Sequence, residues 1–365
     1  MHLRERCCFI VPPHILDQLA RNGTEEQKRR ALRSLVLTEQ LRGARGALTG
    51  NVLPARVPGE KRRTVFDAEH GVDLPGKIAR GEESPASGDA AVNEAFDGAG
   101  AVHDFFKTVY QRDSIDDAGM RIDSTVHYDT DFDNAFWDGQ QMVYGDGDRQ
   151  IFASFTTCID VIGHELTHGV TQHEAGLVYR AQPGALNESF SDVFGSLVKQ
   201  WSARPQKKAA DADWLIGAGL LLVGKALRSM SAPGSAYKNT PIGDDPQPAH
   251  MSNYYTGNAD SQGVHINSGI PNRAFYLAAI SLGGYAWEKA GLIWYGTLGR
   301  LRPTAQFADA ARSTMSVASE LYGNNSPEAD AVRDAWMQVG VLPRVVAVQV
   351  PVPPAGTPIQ PQPRP

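Results

Sequence analysis

His164-Glu165-Leu166-Thr167-His168 lies in a stretch, residues 157–172, whose apolar residues recur at helical spacing. Two histidines four residues apart on a helix project from one face about one turn apart, so both imidazoles can chelate one ion. Zinc, a borderline cation, suits imidazole. Glu165, beside the first histidine, can then act as general base on a water held by the ion. The same pentapeptide also occurs on solvated helices, so this reading needs a third ligand. Glu188 supplies it from a second helical stretch, 184–201, in Asn187-Glu188-Ser189-Phe190-Ser191-Asp192. A catalytic zinc takes three protein ligands and keeps one position open. Asp192, one turn further on the same face, can accept the second ring proton of a zinc histidine and fix its tautomer. The plainer reading of Glu188, a carboxylate favoured at a helix N-terminus, would win only if it stood alone.

Working outward, residues 63–155 combine a helix over Ala90–Tyr110 with short alternating runs such as Ser124–Tyr128 and Gln141–Tyr144, separated by Asp/Gly/Asn turns. That pattern predicts a twisted, mostly antiparallel sheet. Beyond residue 156 the periodicity is helical over 157–172, 184–201, 213–229, 267–282, 286–299, 304–322 and 326–338. The expected fold class is α+β in two lobes. An N-terminal lobe (61–175) ends on the zinc helix at the junction, and a C-terminal α lobe (176–344) follows. Residues 1–60 read as a helical hairpin over 14–41, broken at Asn22-Gly23-Thr24, and a Gly/Arg/Pro-rich linker over 42–62 that suits a pro-segment boundary. Residues 345–365 read as an extended Pro-rich tail.

Composition narrows the function classes. A net charge of -6 and 42% hydrophobic residues describe a globular chain without a basic footprint, so no nucleic-acid partner is expected. The Lys/Arg-rich stretch at 25–33 reads as a solvated helix face. No run of apolar residues is long enough to span a bilayer, and no membrane partner is expected. The N-terminus lacks a signal-peptide pattern, so the expected location is cytoplasmic or reached by non-classical export, with secretion the alternative. Three cysteines, two of them adjacent, imply no disulfide framework. A monomer is expected.

At these residues the sequence resembles the thermolysin-like zinc metallopeptidases. Asn134-Ala135-Phe136-Trp137-Asp138-Gly139 resembles the family's substrate-binding edge strand, and Gly176-Leu177-Val178-Tyr179 follows the zinc helix at the family spacing. Gly263-Val264-His265-Ile266-Asn267-Ser268-Gly269 resembles the segment of the catalytic histidine, with Asp260 five residues before it. The resemblance implies a two-lobe zincin with one catalytic zinc on His164, His168 and Glu188. It implies catalytic roles for Glu165, Tyr179 and His265, the last oriented by Asp260. Asn134, Ala135 and Arg228 would hold the substrate backbone. Phe152, Phe155, Val161 and Leu227 would line the pocket for the residue after the scissile bond, implying cleavage on the amino side of bulky apolar residues.

Two departures matter. Asp160 and Asp213 match places in the family's double calcium site, but Lys199, Leu215 and Ala218 stand where further acidic ligands are expected. A protonated lysine cannot ligate calcium, so the site is expected to be lost and Lys199 to form a salt bridge instead. Pro12-Pro13 followed by Ile15-Leu16 resembles the short pro-segment of the protealysin-like branch, which implies an inactive precursor whose own pro-segment is an intramolecular inhibitor. Cys7 or Cys8 is considered as a thiolate cap on the zinc. The rivals are a zinc aminopeptidase, which would need a Gly-Ala-Met-Glu-Asn-like motif that is missing, and a catalytically silent peptide-binding zinc protein, which would usually have lost Glu165 or a ligand.

Overall fold

A computed structural model describes residues 8–48 and 56–343; Cys7 and the tail expected from 345 lie outside the described residues. The described residues start as strand β1 (Cys8–Phe9), enter helix α1 (Pro13–Asn22) and double back through α2 (Glu25–Leu48). Pro13 sits in the first turn of α1, where a missing N–H leaves no bond unmade, and Ile15, Leu16 and Leu19 bury one face. The expected hairpin is present, but α2 runs on to Leu48, past the point where composition read as linker. Its Arg, Ala and Leu are strong helix formers that carry Gly43 and Gly46 with them.

The arginines of α2 correct a second expectation. They are not a solvated face: Arg30 is buried, its Nη1 lies 2.9 Å from Asp131 and its Nε donates to Asp133 at 3.1 Å. Arg33 Nε donates to Asp129 at 2.7 Å, and Arg29 pairs with Asp131. Asp129, Asp131 and Asp133 alternate along one loop, so an acidic row meets a basic helix face.

Strands β2 (Arg63–Asp67), β3 (Lys77–Gly81), β4 (Ile122–Val126), β5 (Ala135–Trp137) and β6 (Gln141–Tyr144) join β1 in one sheet of order β1-β5-β6-β4-β2-β3. The β2/β4 and β4/β6 pairs are parallel, and the other three pairings are antiparallel. Helix α3 (Ala90–Tyr110) packs on this sheet, started by Asp89, whose side chain accepts from Ala91 N at 2.7 Å.

Helices α4 (Ile159–Glu174) and α5 (Ala181–Ser202) lie against each other through Gly163 and Gly195. A Cβ at Gly195 would stand 2.4 Å from the carbonyl oxygen of Asp160 and 3.0 Å from His164 N. Only glycine permits this approach, and it brings the side chains of α5 within reach of those of α4. The helix expected over 213–229 does not form. Gly217 and Gly219 hold positive φ of 68° and 91°, which stop a right-handed helix, and the segment pairs β7 (Leu215–Ile216) with β8 (Arg228–Ser229). Helices α6 (Ala259–Asn267), α7 (Gly269–Leu282), α8 (Ala290–Leu298), α9 (Phe307–Tyr322) and α10 (Pro327–Gln338) complete the C-terminal region; α8 begins later than the expected residue 286.

Candidate active site

His164 and His168 leave α4 on one face, their Nε2 atoms 3.0 Å apart, and both are buried. Glu188 of α5 closes the group: Oε2 is 3.4 Å from His164 Nε2 and Oε1 is 3.5 Å from His168 Nε2. All the ligand atoms of the three residues lie within 4.8 Å of one another. Two observations test whether they fit an ion. Glu188 Oε2 is buried and makes no hydrogen bond among the described residues, a costly arrangement for a carboxylate unless a cation faces it. Each histidine, moreover, commits its Nδ1 elsewhere, to Asp192 Oδ1 at 2.8 Å for His164 and to Asn187 Oδ1 at 2.8 Å for His168. The Nε2 lone pairs are thereby aimed at the common point. The triad is able to hold a metal.

Glu165 is one residue beyond the first ligand and fully buried. Its Oε2 accepts from Trp137 N at 3.0 Å and its Oε1 has no hydrogen-bond partner among the described residues. Burial pushes its carboxyl well above the ordinary range, against the pull of His164. A carboxylate so held is a ready proton acceptor.

Asp192 does more than the sequence suggested. Besides His164 it accepts two bonds from Arg228, Nε to Oδ2 and Nη2 to Oδ1, each 2.8 Å, and one from Asn272 Nδ2 at 2.8 Å. Burial works to raise its pKa, but Arg228 and His164 hold it down at about 2. The guanidinium is raised in turn: burial opposes its charge, and Asp192 outweighs burial.

On the opposite wall, residues 260–263 of α6 have φ between 50° and 79°, a left-handed turn ahead of the regular helix. The turn folds Asp260 back, so that Oδ2 accepts from His265 N at 2.8 Å and Oδ1 meets His265 Nδ1 at 2.5 Å. Such strain is disfavoured for Asp, Ser and Gln, and it persists where a site needs it. Burial works to lower the pKa of His265, but Asp260 and then Glu188 leave it raised. Tyr179 donates to Glu188 Oε1 and lies 3.2 Å from His265 Nε2.

The cleft is filled by the N-terminal segment. β1 pairs antiparallel with β5, Phe9 opposite Phe136, and the chain continues along the same edge. Ile10 N donates to Ala135 O at 3.2 Å, Val11 N to Asn134 Oδ1 at 2.9 Å, and Asn134 Nδ2 to Val11 O at 3.3 Å. Arg228 Nη1 donates to Ile10 O at 3.1 Å, and His265 Nε2 lies 2.9 Å from Phe9 O. Ile10 is fully buried and belongs to the same apolar cluster as Phe152, Phe155, Val161 and Leu227. Cys8 packs against Tyr179 and Val264 and is not one of the three ligand residues.

Elsewhere, Lys199 occupies the place sequence reading gave it. Its Nζ is 3.0 Å from Asp160 Oδ2 and 2.9 Å from Asp213 Oδ1, and donates to Leu215 O at 2.6 Å. Sequence reasoning assigned no role to Asn187, Ser191 or Asn272. Ser191 Oγ lies 3.0 Å from His168 Nδ1, so Asn187 and Ser191 orient the second histidine as Asp192 orients the first. The signal is in the sequence: Asn187 and Ser191 each stand one residue before Glu188 and Asp192, four apart and so on one face of the same helix.

Comparison with known proteins agrees with this geometry. Residues 60–172 match the family model of the thermolysin metallopeptidase catalytic domain, 175–341 that of the thermolysin metallopeptidase alpha-helical domain, and 8–48 the protealysin propeptide. An extracellular metalloprotease of Pectobacterium carotovorum subsp. carotovorum is 49% identical over 92% of this chain and 96% of its own. Protease PrtS of Photorhabdus sp. (strain Az29) is 43% identical over 91% of each. The solved precursor of protealysin, a metalloproteinase from Serratia proteamaculans, superposes with a TM-score of 0.83 at 49% identity, covering 92% of this chain and all of that one.

The hydrogen bond from His168 to Asn187 generates a test. Asn187→Ala removes one of two acceptors that fix the ring, and the expected result is a roughly tenfold loss of metal affinity with the fold unchanged. Competition with a chelator measures it; unchanged affinity would mean that Ser191 suffices.

Proposed function

Since the chain belongs to the thermolysin family of zinc metallopeptidases and carries a protealysin-type pro-segment, it is a zinc-dependent endopeptidase made as a precursor, and we propose that it cuts extended peptides before a bulky apolar residue. The observation that carries this reading is the register of residues 9–11. Phe9 O meets His265 and Ile10 O meets Arg228. A substrate added to the same edge in the same direction would offer its scissile carbonyl to His265 and the next one to Arg228. Ile10 stands for the residue after the cut, and its complete burial in the apolar core favours a large apolar side chain there.

Zinc bound by His164, His168 and Glu188 would polarise the scissile carbonyl as a Lewis acid and lower the pKa of a water. Glu165 would take the proton of the attacking water and pass it to the departing amine. His265, kept protonated by Asp260, and Tyr179 would donate to the carbonyl oxygen as negative charge develops on it. Asn134 and the Ala135 carbonyl would hold the backbone N–H groups beyond the cut, and Arg228, fixed by Asp192, would fix the carbonyl that follows.

The decisive measurement is digestion of a peptide library by the chain freed of its pro-segment. Cleavage before bulky apolar residues is expected, and Glu165→Gln should lower the rate roughly a hundredfold or more while zinc stays near one per chain. Zinc without cleavage in the unsubstituted chain would sink the reading in favour of a silent peptide-binding protein. Cleavage indifferent to the following residue would sink the specificity alone.

We also propose that calcium has no place near Asp160, because the Lys199 ammonium already stands between Asp160 and Asp213. Added calcium should then leave the thermal midpoint unchanged; a calcium-dependent rise would count against this.

Latency should depend on pH through His14. In the docked pro-segment its Nε2 lies 2.8 Å from Tyr237 Oη, Nδ1 is buried without a partner among the described residues, and burial lowers its pKa from 6.5 to about 4. Docking therefore favours the neutral ring. The advantage is full above pH 6.5 and shrinks as pH falls toward 4, by at most about 1.4 kcal/mol per unit. Asp133, pushed up to about 6 by burial, acts in the opposite sense, so the comparison must be with His14→Gln. Precursor activity, divided by that of the pro-segment-free enzyme at each pH, should rise on acidification more in the wild type than in His14→Gln. Identical curves would exclude His14 as the cause.

A further inference from the structure

We propose that the chain carries a second transition-metal site, away from the catalytic cleft, built from His70, His127 and Asp146. The three residues follow the C-terminal ends of three adjacent strands, β2 ending at Asp67, β4 at Val126 and β6 at Tyr144, which run parallel in the order β6-β4-β2. Parallel neighbours release their loops at the same edge, which is why side chains gather there around ligands. His127 Nδ1 is 2.8 Å from Asp146 Oδ1, and His70 Nδ1 is 3.5 Å from Asp146 Oδ2. One ligand atom from each lies within 4.8 Å of the others. The imidazole centroids are 5.5 Å apart.

Two features support a site. A backbone bond from His70 N to His127 O, 2.9 Å, ties the two loops together, and Asp129 N donates to Gly71 O at 2.9 Å. Behind the candidate ligands, His127 Nε2 lies 3.0 Å from Asp89 Oδ2, and Asp89 is itself the cap of α3. A ring with one nitrogen facing the ligand set and the other on a carboxylate has the orientation of a metal-binding histidine.

The competing account is a protonated His127 bridging two carboxylates. It explains Asp89 and Asp146 but gives His70 no part. The His70 side chain is 56% exposed, yet it points to the same carboxylate from a turn in which both Glu69 and His70 hold positive φ, 50° and 61°. Two imidazoles and one carboxylate, open to water on one side, suit a divalent first-row ion such as zinc and do not suit calcium or magnesium, which take oxygen shells. The ion's role is a brace: it joins three strand ends and α3 beside the loop whose Asp129 pairs with Arg33 of the pro-segment.

The test is equilibrium dialysis of the full chain against micromolar zinc at mildly alkaline pH, with Glu165→Gln present to keep the preparation intact and metal counted per chain. Two zinc ions are expected in that background. One is expected when His70→Ala or Asp146→Asn is added, with circular dichroism unchanged, and zinc should raise the thermal midpoint in the first case beyond the second. One ion in every variant would overturn the proposal. Two ions retained by both His70→Ala and Asp146→Asn would overturn it as well, because the second ion would then sit elsewhere.

Discussion

The carboxylate of Asp192 is the constraint on which the site depends. It is fully buried and accepts hydrogen bonds from α4 through His164, from β8 through Arg228 and from α7 through Asn272. A buried charge with four donors is stable only while all of them are in place, and removing one partner leaves the rest uncompensated. The arrangement therefore couples two tasks that are chemically separate, aiming an imidazole of the triad able to hold a metal and stiffening the guanidinium that meets the Ile10 carbonyl of the pro-segment. It also links α4, α5 and α7, since each contributes to one network.

The pro-segment takes the free edge of β5, the edge on which the proposed cleavage would seat a substrate. Three residues added to β5 form few bonds, and alone they would bind weakly. They are held at the cleft by the α1–α2 hairpin, whose arginines grip Asp129, Asp131 and Asp133. Because this anchor is covalently continuous with β1, the blocking strand works at high effective concentration. Phe9 reinforces it by packing into the aromatic cluster of Tyr128, Phe132 and Phe136.

Much of the site was legible because short-range periodicity carried it. His164, His168, Glu188 and Asp192 are linked by four-residue helical spacing, and the helices that present them are strongly patterned. The stretch 213–229 misled because its Leu-rich composition resembles a helix, whereas Gly217 and Gly219 at positive φ decide the backbone. The left-handed turn at Asp260–Gly263 has no sequence period at all. The basic face of α2 conceals its role for another reason: a charge run looks solvated until its partner is known, and that partner is an acidic row about a hundred residues away.

Acidic clusters in this chain are answered by cations of the chain itself. Lys199 stands between Asp160 and Asp213, and Arg29, Arg30 and Arg33 stand against Asp129, Asp131 and Asp133. A tethered cation fills its place without a dissolved ion having to bind there. The two cases differ in permanence, however. Lys199 remains with the catalytic body for its lifetime, whereas the three arginines belong to the pro-segment and leave with it. Their departure gives the 129–133 loop back to water, which must then hydrate carboxylates that ion pairing had satisfied. The pro-segment thus does two things at once, covering the cleft through β1 and neutralising, through α2, a loop that begins two residues after His127.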